Sequence, residues 1–327
     1  MKRNQHAGKR LSGGLRLEVF TPDELNELHL GTLEVLSETG VFVPSPEAQE
    51  ILAQGGAVVN PRTNVVRLPA RLVEDCLRQA PPKFVAHGRS PKDDVVMESN
   101  RVYFTNFAEG ITIQDPYTGE LRDTVLKDVA DLSRVIDALP TIEIVLRAVN
   151  AHNVPQELNQ LYNFEALIKN CSKPISMGPG SLKQAEYILR VAQEAAGGPE
   201  NMPHRSQIGF GTCPISPLRL VEETTDIIIF TAKNKLPLEI LSMAMSGGSS
   251  PANLAGTLVV HNAEVLSGLV LAQLVNPGNP IIYGSSTTAM NLKTATATVG
   301  SPELALVSAG VAALAQHYKL PCMVAGG

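Results

Sequence analysis

The chain has 327 residues, 44% hydrophobic and 18% charged, with a net charge of −5. That is ample for one large buried core or two smaller ones. The acidic balance argues against a nucleic-acid partner, because basic residues bunch only at Lys2, Arg3, Lys9 and Arg10. Cys76, Cys171, Cys213 and Cys322 stand too far apart for a CxxC metal or redox motif. No apolar leader follows the first residues, and the apolar runs are broken by Gly, Ser and Asn short of a membrane span. A soluble cytoplasmic enzyme with no membrane partner is expected.

Residues 1–20 read as an irregular lead with a solvated basic arm. Thr21 then caps a helix. Pro22 suits its first turn, and Asp23 and Glu24 favour the positive end of the helix dipole. Leu25, Leu28, Leu33 and Leu36 give an apolar face, and Gly40 stops the helix. A second helix is expected over 45–54, a short strand over 65–68 and a third helix over 69–80. Two strand-like runs over 83–98 flank a Gly88-Arg89-Ser90-Pro91 turn.

From residue 101 strands and helices alternate. A strand over 102–107 precedes a hairpin-like excursion with its turn at Pro116-Tyr117-Thr118-Gly119. Thr124 caps a helix that runs to 139. Strand–helix pairs follow at 142–149 and 156–170, 174–177 and 181–196, 207–211 and 218–234, 238–243 and 251–274, and 280–283 and 301–317. A seventh strand at 321–325 closes the series. Such alternation implies a parallel sheet covered by helices, either an open doubly wound sheet or a closed barrel. No GxGxxG follows a strand, and the regular repeat favours the barrel. The expected fold is α/β: a (β/α)8 TIM-type barrel, incomplete at the C-terminus, with about seven strands over 101–327 and a mainly helical extension over 1–100.

In a barrel the loops after the strands build the site. Glu109 then reads as an acid–base group or a partner for a cation, or as an ordinary loop acid. His152 reads as a proton donor, or with Asn153 as a cap on the next helix. Phe107 and Tyr283 offer aromatic faces to a cationic group, or pack in the core. Ser285 and Ser286 hydrogen-bond the substrate, or serve a turn. The Ser246-Gly247-Gly248-Ser249-Ser250-Pro251 loop matches neither a P-loop nor a dinucleotide turn and reads as a tight strand-to-helix connection. A zinc site from His152, Cys213 and Cys322 is a rival reading, weakened because Cys322 opens its strand and the three come from scattered elements.

Several stretches are more distinctive. They are Leu36-Ser37-Glu38-Thr39-Gly40-Val41, Ser176-Met177-Gly178, Pro214-Ile215-Ser216-Pro217-Leu218, and the run from Met243 to Pro251. Tyr283-Gly284-Ser285-Ser286 and the closing Leu320-Pro321-Cys322-Met323-Val324-Ala325-Gly326-Gly327 complete the set. With these motifs the chain, from the Thr21 helix onward, resembles the trimethylamine methyltransferase superfamily. The resemblance implies methyl transfer from trimethylamine to the Co(I) corrinoid of a separate corrinoid protein, as part of methylamine metabolism and methanogenesis. It also implies pyrrolysine, encoded by an in-frame amber codon just after Gly327, whose imine ring takes up the amine; the sequence is expected to be cut at that codon. The absence of a corrinoid-binding DxHxxG motif fits an external corrinoid partner. A homo-oligomer with no metal of its own is expected. A glycine betaine methyltransferase of the same family without pyrrolysine, and an inactive fragment, are the alternatives.

Overall fold

The computed structural model describes residues 18–202 and 205–326. The basic arm and Gly327, with the expected pyrrolysine position after it, lie outside the described residues.

Thr21 and Glu24 close the start of α1 (Pro22–Glu34) reciprocally: the Thr21 hydroxyl accepts from the Glu24 N–H, and the Thr21 N–H donates to the Glu24 carboxylate at 2.8 Å. A π-helical turn, Val35–Thr39, follows. Gly40 ends it at φ 77°, where a Cβ would fall 2.5 Å from the Val66 carbonyl oxygen. Next come β1 (Val41–Phe42), α2 (Pro46–Gln54), β2 (Val58–Asn60), β3 (Val65–Arg67) and α3 (Ala70–Gln79). β1, β3 and β2 form an antiparallel sheet. Strands of two or three residues are too short to show alternation, and only β3, within the apolar run Val65-Val66-Arg67-Leu68, was expected.

β4 (Lys83–Ala86) pairs with β5 (Val95–Glu98). β6 (Thr112–Gln114) and β7 (Leu121–Asp123) make the expected hairpin, with the Asp115 carboxylate accepting from the Tyr117 and Thr118 N–H groups and Gly119 at φ 75°. The alternation follows: α4 (Leu126–Ala138), β8 (Val145–Leu146), α5 (Asn159–Asn170), β9 (Ile175–Met177), α6 (Leu182–Ala195), β10 (Ile208–Thr212), α7 (Glu222–Lys233), β11 (Leu238–Ser242) and a short β12 (Met245–Ser246). Then come α8 (Leu254–Val275), β13 (Ile281–Ser285), the hairpin β14 (Thr288–Asn291) and β15 (Thr296–Ala297), α9 (Pro302–His317) and β16 (Cys322–Val324). β8–β9, β9–β10, β11–β13 and β13–β16 all pair in parallel. The fold is mixed α/β, with parallel strands separated by helices.

Four local expectations need correction. Residues 102–107 are no ladder strand: only Thr105 bridges to Ile144. The Asn106 amide pairs with both backbone groups of Leu146 at 3.0 Å, and the Glu143 carboxylate accepts the Phe104 N–H, so side chains do the work of a strand's backbone. Thr124 does not cap α4. Its hydroxyl faces the Ile111 and Asn150 carbonyls, while Asp128 accepts the Val125 N–H and Asn153 the Leu126 N–H, each at 2.8 Å. Asn153 thus serves the preceding helix, not the next one. α7 begins at Glu222 rather than 218, because Pro217 and a left-handed Leu218, φ 56°, keep 214–221 irregular. Finally, Asn262, Ser267 and Gly268 do not interrupt α8, which at 22 residues is long and apolar enough to cross a membrane by length and composition, yet lies mostly buried inside its unit.

The described chain divides into two compact units. The first holds Phe84–Met97 and Arg101–Phe210. Phe164, Leu167 and Ile188 are buried in it, and so is Lys173, whose ammonium donates to the Ile136 and Leu139 carbonyls at the end of α4. The second unit holds residues 18–83, Glu98–Asn100 and residues 211–326. Its core gathers Leu266, Leu269 and Val270 of α8 with Ile240 of β11, Ile228 of α7, and Leu33, Leu52 and Val73 of the N-terminal helices.

A directed chain of hydrogen bonds crosses that core. Tyr283 donates to the Asn262 amide oxygen at 2.7 Å. The Asn262 amide nitrogen donates to Thr32 and to the Tyr318 hydroxyl, at 2.9 and 2.8 Å. The Tyr318 hydroxyl in turn lies 2.9 Å from His29 Nδ1. His29 Nε2 meets the Glu74 carboxylate at 2.7 Å. Asn262→Leu removes three of these bonds and leaves their partners buried. It is expected to cost about 2–4 kcal/mol in urea unfolding; a loss below about 1 kcal/mol would show that the chain of bonds contributes little.

Candidate functional site

In the second unit, one face of β11 and β13 meets α8. Ser242 at the end of β11 donates to the Glu264 carboxylate at 2.6 Å, and Ser216 donates to the same oxygen at 2.8 Å. The other oxygen accepts the Leu218 N–H at 2.9 Å. Glu264 thus holds the left-handed Leu218 and the loop after β10 against the strand end. Burial pushes its carboxyl up, against the pull of these three donors.

One turn earlier on α8, His261 is fully buried, with Nδ1 at 3.1 Å from the Thr287 hydroxyl. That hydroxyl spends its proton on the Ser242 carbonyl, so His261 donates through Nδ1. Nε2 is then a buried lone pair with no hydrogen-bond partner among the described residues. Burial lowers the imidazole to about 3, so it is neutral.

The pleat turns the intervening residues to the opposite face. There Glu239 is buried, Leu241 half-buried and Met243, past the strand, exposed. Gly211 and Gly284 flank the Glu239 carboxylate.

In the first unit, Glu109 takes a left-handed backbone at φ 71°, a strained setting for a glutamate. Its N–H donates to the Arg147 carbonyl at 3.0 Å, and its carboxylate meets the Arg147 guanidinium at 2.7 Å. Arg147 is 5% exposed and Glu109 60%. A buried guanidinium thus anchors a carboxylate that stays open to solvent on its other side. Burial lowers the Arg147 pKa, and the Glu109 charge opposes that shift. A separate cleft of about 270 Å³ near Arg205 has its guanidinium already engaged by Asp94 and the Gly88 carbonyl.

The sequence profile of the trimethylamine methyltransferase (MTTB) family matches residues 2–327. The chain belongs to that family. It is 44% identical over 321 residues to the trimethylamine methyltransferase MttB of Desulfitobacterium hafniense, covering 98% of this chain and 65% of that protein. It is 42% identical to MttB of Methanosarcina barkeri, covering 99% and 67%. A glycine betaine methyltransferase of Desulfitobacterium hafniense is 28% identical, covering 95% and 65%. The chain thus spans about two thirds of the length of these relatives. The monomethylamine methyltransferase MtmB of Methanosarcina barkeri shares the fold, with a TM-score of 0.53 at 11% identity over 92% of this chain and 65% of that one.

For this member of the trimethylamine methyltransferase family, the expected site residues fall in two settings. Tyr283, Ser285 and Ser286 lie together in the second unit. Tyr283 and Ser285 turn toward the α8 side: the first is wholly buried on Asn262, and the second accepts the Thr287 N–H at 3.1 Å. Ser286 is half-buried, with its N–H on the Ser242 carbonyl. Phe107, Glu109 and His152 belong to the first unit. Phe107 is 80% exposed, and His152 is exposed with Nδ1 at 3.3 Å from the Thr124 hydroxyl and carbonyl. Ser246 bonds back to the Pro251 and Ala252 carbonyls, which makes its loop the tight connection expected. No group of three His, Cys, Asp or Glu among the described residues is placed to hold a metal, so His152, Cys213 and Cys322 form no such cluster.

Sequence reasoning missed Arg147, Glu239, His261 and Glu264. A signal existed: Arg147 directly follows the apolar β8, Glu239 is the one ionisable residue in β11, and His261 and Glu264, the two in α8, share a helix face by their spacing of three.

The His261 shift sets a pH dependence. Above about pH 6.5 the imidazole is neutral both folded and unfolded; as pH falls toward 3 the unfolded chain takes the proton and the folded one does not. Stability is therefore lost with falling pH across that window, by up to about 1.4 kcal/mol per pH unit. His261→Gln should flatten this slope in urea melts. Parallel slopes for the two proteins would contradict the assignment.

Proposed function

We propose that this chain is the part of a methyltransferase that moves a methyl group from trimethylamine to the Co(I) corrinoid of a separate corrinoid protein. The observation that carries the reading is the family match across residues 2–327. The identity gap, 44% to a protein named for trimethylamine against 28% to one named for glycine betaine, favours the amine. We further propose that the strand–helix units belong to a (β/α)8 barrel, with residues 1–100 as an extension to it; the shared fold with MtmB supports this.

A methyl group leaves nitrogen as a cation equivalent only when the nitrogen is positively charged. The protein's task is then to orient a cation and hold negative charge near it. Pyrrolysine is the electrophile that family membership implies, and when present it supplies an imine carbon to the amine. Arg147 holds one side of the Glu109 carboxylate and leaves the other open, which suits it to a cationic nitrogen. His152, anchored through Nδ1, has Nε2 to hold or deliver a proton. Within the first unit we assign Phe107 to substrate contact; within the second, Tyr283 and Ser285 belong to the frame on the α8 side, with Ser286 at its edge.

The protein, mixed with trimethylamine and a corrinoid protein reduced to Co(I), should bleach the Co(I) absorbance much faster than with glycine betaine. Failure with trimethylamine overturns the reading. Glu109→Gln should slow this transfer about tenfold or more at an unchanged melting temperature; wild-type turnover would remove Glu109 from the mechanism.

A further inference from the structure

Glu239 occupies the face of β11 turned away from α8. Its neighbour Ile240 packs on Gly268 of α8, and Ser242 bonds to Glu264 of α8, so the pleat directs Glu239 to the other side. Register names its surroundings. Glu239 lies level with Ile282 of β13. One row further on, Leu241, Gly284 of β13 and Met323 of β16 stand side by side on the same face.

Glycines bracket the carboxylate. Oε1 lies 3.1 Å from where a Cβ on Gly284 would stand, and Oε2 lies 3.5 Å from where one on Gly211 would stand. At Gly284 that Cβ would also fall 2.9 Å from the Ile240 carbonyl oxygen, so only glycine fits. Glu239 itself is 4% exposed, whereas Met243, two residues past Leu241 along the chain, is 44% exposed. The carboxylate therefore lies one row below the half-buried Leu241 and Met323, toward the start of the strands. The row above it is aliphatic and thioether, with a bare glycine in the middle.

This combination selects among cations. A hard metal ion calls for several oxygen ligands, and an unmethylated ammonium calls for several acceptors; the row of Leu241, Gly284 and Met323 side chains supplies neither. A methylated ammonium spreads its charge over methyl groups, and one carboxylate under an apolar row suits it. We propose that Glu239 receives the charge of a methylated ammonium, whose N-methyl groups lie against Leu241 and Met323 over Gly284. The proposal rests on the methyltransferase reading for the ligand's identity, and binding tests it without turnover.

Calorimetric titration of the full chain with tetramethylammonium should show saturable binding that Glu239→Gln weakens about tenfold or more. Gly211→Ala has room for its methyl group, so it should keep the wild-type melting temperature and weaken binding several-fold by entering the cation's space. It decides the matter if Glu239→Gln fails to fold. Wild-type affinity in the folded variants, with methyl transfer from trimethylamine intact, overturns the Glu239 assignment and leaves the functional reading standing. Absence of both binding and transfer in the wild type overturns the reading and the assignment together.

Discussion

A polar side chain carried into a core by an apolar helix must find a partner, and the second unit is arranged round that requirement on α8. Asn262 ties α8 to Thr32 on α1, to Tyr318 just past α9 and to Tyr283 on β13. Glu264 ties it to Ser216, Leu218 and Ser242. His261 ties it to Thr287. Leucines alone would let α8 slide or rotate at small cost, since apolar contact is not directional. These three neighbours on one stretch of helix admit one placement of the surrounding strands and loops.

That requirement divides the two faces of β11 and β13. Toward α8, polar residues are spent on structure: Tyr283 and Ser285 lie within the frame, and Ser242 is its hub. Away from α8, Glu239 lies beneath the apolar row of Leu241, Gly284 and Met323. The frame also explains why a left-handed leucine persists at 218, because its N–H is held by a buried carboxylate. The first unit repeats the theme on a smaller scale, with Arg147 anchoring a left-handed Glu109.

Much of the fold was legible from short-range rules. The Thr21–Glu24 cap, the Gly40 stop, the 116–119 turn and the strand–helix rhythm each depend on residues a few positions apart, which sequence displays directly. What stayed hidden depends on distant partners. Asn106 and Glu143 replace backbone pairing across some forty residues, and no local pattern announces that. Glu264 meets Ser216 and Leu218 from 48 and 46 residues away. The candidate site was half-legible for the same reason. The rule that strand ends carry chemistry pointed to Tyr283 and Ser285, but which way a strand residue faces depends on what packs behind it. Glu239 was visible as the one charge in a run of apolar residues from Leu236 to Leu241. Its meaning came only from knowing that it points away from α8.

The central claim is this division of faces, and a crystal structure of the protein with tetramethylphosphonium tests it most directly, since phosphorus is heavy enough to locate. The account predicts the cation over Gly284, beside the Glu239 carboxylate, on the side of β11 and β13 away from α8. A cation lodged among His261, Glu264 and Ser242 on the α8 side would contradict it.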